Sequence, residues 1–222
     1  MKKIIKTTTL IATVGLSAIL SACTGNTEHA DSKTTLSREQ IKVRNFDQLF
    51  TAIDVKDIPQ DVFTLVGEDF SVLTAGNPSH YNSMVAGWGG WGIVFNKPQA
   101  FSFLRATRYT LEIMRREGAY TMTFFDNEFK EDIMKFGQQS GRNSDKMKNT
   151  ALTSVQTPAG NMAFKEAKLI IELTLTQVTT VSPDDFLVPD SRKFVVDANP
   201  NGNPNDYHKI VFGEITNVWV RK

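Results

Sequence analysis

Three short stretches of this chain carry residue types that bind anions or receive a flat ligand. The first, Arg105-Ala106-Thr107-Arg108-Tyr109-Thr110, sets two arginines around a threonine just ahead of a helical pattern. Free backbone N–H groups and the helix dipole at such a start favour an anion; the same arginines would also suit a plain strand-to-helix corner. The second, Ser140-Gly141-Arg142-Asn143-Ser144-Asp145-Lys146, joins a turn-forming glycine to two hydroxyls and two cations. It either closes around a phosphate or is a polar turn before a helix. It lacks the Walker spacing, and no G-x-G-x-x-G opens a helix after a strand. The third is SMVAGWGGWGIVF, residues 83–95, which puts two of the three tryptophans beside four glycines. Glycine in a strand admits something close to the backbone or marks a bulge, so the stretch is either a platform for a planar ligand or a twisted core strand. Trp88 and Trp91 are separated by an odd number of residues, which sends them to opposite faces of a strand.

Other chemistry is thinly represented. His29, His80 and His208 have no cysteine partners at metal-ligand spacing, and there is no G-x-S-x-G elbow. His208 opens the last long apolar segment beside Tyr207 and is read either as a rim histidine bonded to a carbonyl or as a functional group. Met114, Met122, Met134 and Met147 read as core filler.

These stretches need elements to hold them. FDQLFTAI has helical spacing, whereas DFSVLTAG, SMVAGWGGWGIVF and AFSFLRA read as strands, with a turn at residues 76–79. Thr107 is the expected N-cap of a helix stopped at Gly118. AYTMTFF is a strand, NEFKEDIMKFGQQ a helix, and SDKMKNT one or two turns capped by Ser144. AKLIIELTLTQVTTV and YHKIVFGEITNVWV are long strands rich in β-branched residues, with residues 186–206 as an irregular crossing loop. The fold class expected is mainly β with α additions, an antiparallel β-barrel.

The 222 residues, 41% hydrophobic and 22% charged, have the usage of an ordinary globular domain. Residues 1–22 stand apart: a basic start, an apolar run and a small-residue end make an export signal. Lys2, Lys3 and Lys6 are its charged residues, so the 25 basic residues of the chain fall to 22 without it, against 24 acidic ones. That balance offers nothing to nucleic acid. Leu20-Ser21-Ala22-Cys23 resembles the lipobox of bacterial lipoproteins, which implies a lipidated Cys23, a polar tether over residues 23–45, a folded domain over 46–222 and a place in the cell envelope on the periplasmic or outer-membrane face. A lone cysteine forms no intrachain disulfide.

Taken in order, Asn82-Ser83-Met84, Trp88-Gly89-Gly90-Trp91-Gly92, Asn96-Lys97-Pro98, RATRYT, SGRNSDK, FKEAKLII and DYHKIVFGEI resemble the flavin reductase-like, FMN-binding split-barrel family, in its flavoredoxin branch, over roughly residues 60–222. The resemblance implies a homodimeric split barrel that holds FMN noncovalently. By the same resemblance Asn82, Ser83, Met84, Trp88, Arg105, Thr107, Arg108, Ser140, Arg142 and Lys146 contact the cofactor, with its ring on the strand from Asn82 to Trp88. His208 becomes the catalytic histidine where NADH or NADPH would dock. The chain departs from the family at Val85, where a hydroxyl residue is common, at Gly87 in place of serine, and at Ala106 in place of proline. Three functions stay open at this point: an NAD(P)H-dependent flavin reductase, an envelope electron-transfer flavoprotein meeting a redox protein partner without a nicotinamide site, and a lipid-anchored binding module that has lost its flavin. The lipobox itself is testable. Cells fed a radiolabelled fatty acid should label the wild-type protein, and a Cys23→Ser variant that still takes up label would rule Cys23 out as the attachment point.

Overall fold

The computed structural model describes residues 45–199 and 202–222; the export signal 1–22, Cys23 and the tether up to residue 44 lie outside them. A short helix, α1 (residues 45–49), leads into β1 (Phe50–Ala52). The expected helix over 46–53 is therefore cut short: Phe50 pairs with Arg221 and buries its ring, so sheet pairing wins over helical spacing.

One antiparallel sheet carries the domain. Its strands are β2 (Ser71–Asn77), β3 (His80–Ala86), β4 (Gly89–Val94), β5 (Lys97–Arg105), β6 (Ala119–Phe124), β9 (Leu169–Thr180) and β10 (His208–Arg221), in spatial order β3-β2-β6-β9-β10-β5-β4, with β1 also on β10. The two long strands pair along most of their length, with register shifts at Phe212/Gly213 and Ile215/Asn217. Such shifts bend and twist a strand, which lets β10 serve both halves of the sheet. Inside the curl lies one core, with Leu73, Met84, Leu104, Met122, Ile171, Leu173 and Val211 among its members. A second core forms on the outer face, where Val72, Ile170 and Trp219 meet Phe46 of α1 and Ile133 and Phe136 of α3 (Lys130–Gln138).

The Trp/Gly stretch is two strands, not one. It breaks at Gly87-Trp88, and the chain itself fills the space beside Gly87, Gly89 and Gly90, whereas the place of a Cβ on Gly92 is open. Phe70, held at φ 64°, lays its ring where a Cβ on Gly87 would sit, 2.6 Å from the nearest ring atom. At Gly89, φ is +156° and a Cβ would lie 2.2 Å from the Phe101 carbonyl oxygen. These glycines therefore serve close packing of the chain on itself. Trp91 turns inward against the core, edge-on to Phe124, whereas Trp88, just ahead of β4, stays 45% exposed.

Three further expectations change. The helix after β5, α2 (Tyr109–Glu117), is N-capped by Arg108 rather than Thr107, because the Thr107 hydroxyl donates to Asp206 instead. It ends at Gly118 in the left-handed region, as expected. The turn at 146–149 is capped by Asp145, which accepts from the Met147 N–H, and Ser144 bonds back to the Ser140 carbonyl. Finally, the crossing segment 186–206 contains a helix, α4 (Pro189–Asp197), with proline in its first turn.

A hairpin, β7 (Ser154–Gln156) with β8 (Met162–Phe164), is pinned to the barrel by a buried carboxylate. Glu172 of β9 is 1% exposed and accepts from Thr157, from Asn161 at 2.8 Å and from Asn217 at 2.8 Å. Its side-chain partners are all neutral. Glu172→Ala strands those donors in the interior, and each lost bond to a charged group is worth about 1.5–3 kcal/mol. A urea titration should show stability reduced by at least about 3 kcal/mol with an unchanged slope. A loss below about 1 kcal/mol would mean that water reaches the donors.

Candidate functional site

The end of β5, the start of α2, the middle of β3 and the end of α3 converge on a cleft of about 230 Å³. Strand alternation decides what β3 contributes. Asn82 and Met84 line the cleft, whereas the Ser83 side chain turns the other way and pairs with the Thr74 hydroxyl at 2.8 Å. Only the Ser83 carbonyl is engaged from this side, accepting from Lys146. Asn82 Nδ2 donates to Thr110 Oγ1 at 2.8 Å, tying β3 to the first turn of α2. Gly141 closes the far wall so tightly that a Cβ there would lie 1.9 Å from Asn82 Oδ1.

The cleft is cationic and short of counter-charge. Lys146 is 6% exposed, and its Nζ donates to the carbonyls of Phe136 at 2.7 Å and Ser83 at 3.2 Å. Burial, and after it the charge of Arg108, pushes the ammonium down to about 8. Arg108 makes no ion pair with any described carboxylate. It occupies the N-cap of α2, where no side chain caps the first N–H groups, so the dipole's positive end opens beside both cations. Ser140 completes this wall.

Arg105 and Thr107 also line the cleft but are bound elsewhere. Both donate to Asp206, which is 4% exposed. Burial works against its ionisation, yet the hydrogen bonds from Thr107 and Arg105 outweigh it and hold the carboxyl below the usual range. Arg142 lies outside this cleft, in a neighbouring one of about 530 Å³ between the β2–β3 turn and residues 141–147. Its guanidinium grips both oxygens of Glu112, whose pKa it lowers chiefly through those bonds, and sits 4.9 Å from the centre of the Tyr109 ring. The Tyr109 hydroxyl meets His80 Nε2 at 2.8 Å.

Trp88 and His208 belong to a third cleft, of about 200 Å³, whose other walls are Phe103, Val181, Phe186, Phe194, Val195 and Ala198. The Trp88 ring lies 5.1 Å from His208 and 5.7 Å from Phe194 of α4. Burial lowers the pKa of His208, Arg105 and Arg108 lower it further, and Asp206 partly offsets them. The neutral imidazole is thus favoured over the charged form.

Of the residues singled out from sequence, Asn82, Met84, Arg105, Thr107, Arg108, Ser140 and Lys146 share one cleft. Arg142 stands beside it, Ser83 contributes only its backbone, and Trp88 and His208 stand in the apolar cleft. Sequence reasoning missed Thr110, Asp206 and Phe194. Thr110 and Asp206 lie within motifs already picked out, but their bonds cross 28 and 99 or more positions of chain. Phe194 carried a readable signal, because Pro189 heads its helix at a position that proline favours.

No curated protein matches the chain. Solved structures do. An FMN-binding domain of a flavin reductases-like enzyme from Shewanella baltica superposes with a TM-score of 0.54 at 14% identity, covering 77% of this chain and 76% of that one. An FMN-binding protein from Thermus thermophilus gives 0.53 at 17% identity over 77% and 79%. The flavoredoxin of Desulfovibrio vulgaris gives 0.52 at 19% identity over 76% of each chain. At such identities the likeness speaks for the fold, an antiparallel split barrel. A family model matches residues 66–222 in sequence as well, and on that match the chain belongs to the flavin reductase-like domain family.

Proposed function

We propose that this protein is an FMN-dependent redox protein whose FMN phosphate sits in the cleft of Arg108, Ser140 and Lys146. The observation that carries the reading is a buried ammonium, Lys146, whose bonds go only to carbonyl oxygens, beside an uncapped helix start and an arginine without a carboxylate partner among the described residues. That donor set fits a dianion. Bound FMN supplies two-electron chemistry. The chain's residues bind and orient it: Asn82 and Met84 give the floor, and Asn82 is itself fixed by Thr110.

The preferred reading takes NADH or NADPH as hydride donor, with His208 positioning the nicotinamide. One observation favours the second reading, an electron carrier without a nicotinamide site: among the described residues no cation lines the cleft of His208, where a dinucleotide's phosphates would need one. The domain acts as a homodimer, supported by the exposed Phe63, Ile93 and Phe95 around the edge strand β4. It is held in the envelope by lipid on Cys23, which keeps its folded part at a membrane surface.

The phosphate assignment makes a sharp demand. A charge-assisted bond is worth about 1.5–3 kcal/mol, so Arg108→Ala or Lys146→Ala should weaken FMN binding about 10- to 150-fold. Riboflavin, which lacks the phosphate, should bind parent and variants alike. If riboflavin is lost in parallel, the two residues hold structure instead. The pH profile follows from the sign of the Lys146 shift. Its depressed pKa in the free protein, about 8, means that the ammonium is lost as pH rises past that value, so FMN affinity should fall above it in the wild type and stay flatter in Lys146→Ala. Calorimetric titration across pH reads both.

The electron donor is read by anaerobic stopped-flow bleaching of the flavin band. NADH or NADPH should reduce the FMN-loaded protein slowly. His208→Ala should slow that reduction by about 2- to 13-fold at low nicotinamide, the worth of one positioning hydrogen bond. Bleaching by dithionite but by neither nicotinamide would replace the reductase reading with the carrier reading.

A further inference from the structure

The third cleft has a character that phosphate binding does not explain. Among the described residues it is walled by the rings of Trp88, Phe103, Phe186 and Phe194 and by aliphatic side chains, and the only polar side-chain groups in its lining are the His208 imidazole and the Trp88 indole N–H. We propose that this cleft binds a small, neutral, planar conjugated cyclic dione of the quinone class. As an electron-acceptor site it rests on the flavin reading above; as a binding site it does not.

Size sets the first limit. At about 200 Å³ the cleft is smaller than the roughly 300–1,000 Å³ of sites for drug-sized ligands, so it takes one or two fused rings. Charge sets the second. An anion would have to give up its hydration against apolar walls without an ion-pair partner, which is costly. Neither arginine whose charge acts on His208 lines the cleft: Arg105 is gripped by Asp206, and Arg108 lines the cationic cleft. Hydrogen bonding sets the third. A neutral imidazole offers one N–H donor and one acceptor, and burial together with Arg105 favours that form of His208. One N–H donor on a side chain that lines the cleft matches one ring carbonyl.

The fourth argument is the state of α4. None of its residues is buried, and Phe194 is 60% exposed where it meets Trp88, itself 45% exposed. The two rings are tilted by 58° rather than stacked, so each keeps an open face. Aromatic faces favour an offset or edge-on ring at about 4.5–7 Å. A flat ligand lying across Trp88 and Phe194 would cover both and give α4 the burial it lacks.

Duroquinone is a suitable probe, being neutral, one ring wide and fully substituted, so that it does not add to the cysteine. Calorimetric titration of the full-length protein without flavin should show saturable binding. Phe194→Ala should weaken it about tenfold or more, and His208→Ala about 2- to 13-fold. Nicotinamide mononucleotide, a single ring that carries a phosphate, should bind far more weakly than duroquinone. FMN titrated into Phe194→Ala should bind as to the wild type. If duroquinone binds while FMN does not bind at all, the flavin reading fails and this one stands. Absence of duroquinone binding, equal binding in both variants, or nicotinamide mononucleotide binding as tightly as duroquinone overturns the proposal. So does loss of a dimer in sedimentation of Phe194→Ala, which would put a second copy of the chain on this face.

Discussion

The buried carboxylate of Asp206 organises the functional half of this molecule. It stands two residues before His208 at the start of β10 and takes hydrogen bonds from Arg105 and Thr107, across the turn that joins β5 to α2. One group thus ties the last strand to the corner from which α2 departs. That corner fixes where the helix dipole opens and where Arg108 lies. By engaging Thr107, Asp206 also takes the residue that would otherwise cap α2, and an uncapped helix start beside a cation is what an anion needs. The cost of burying the carboxylate is offset by those same bonds, which is why its pKa falls despite desolvation.

Two buried charges in the domain show how differently such groups are used. Glu172 is satisfied by several neutral donors at once and locks the β7–β8 hairpin to β9 and β10. Its needs are met within the fold. Lys146 has only two carbonyl oxygens and a like charge nearby, and its pKa is depressed accordingly. Burial of a charge is tolerated when it is paired, and the proposed phosphate site rests on Lys146 having no anionic partner among the described residues.

Much of the fold was legible because local chemistry and tertiary structure agreed. The glycine stop at 118, the turn at 76–79 and the two long β-branched strands all follow from rules that act over a few residues. That Arg105, Thr107, Arg108, Ser140 and Lys146 share one cleft was legible for a similar reason: they come in two compact motifs. What escaped was decided by distant partners. Nothing near Thr107 says that its hydroxyl will meet Asp206 rather than cap a helix, nothing near Arg142 points to Glu112, and Gly87, Gly89 and Gly90 of the tryptophan stretch answer to Phe70 and Phe101. The chemistry of Ser83 was misjudged more simply, since alternation along β3 sends its side chain away from its neighbours Asn82 and Met84.

The same alternation bears on the family departures. Val85 is absent from the lining of the phosphate cleft, and its side chain packs with the outer core around Phe136 and Phe164. Replacing a hydroxyl residue by valine there therefore changes the outer packing, not the side chains lining that cleft. Gly87 is likewise set by the Phe70 ring pressed against it, since any side chain would collide with that ring. A different chemistry lies on the far side of the Asp206 knot. There α4 adds Phe194 to Trp88 and His208, and the walls turn from cationic to aromatic. Arg105, which lines the cationic cleft, is bound to Asp206, and among the described residues no cation lines the aromatic one.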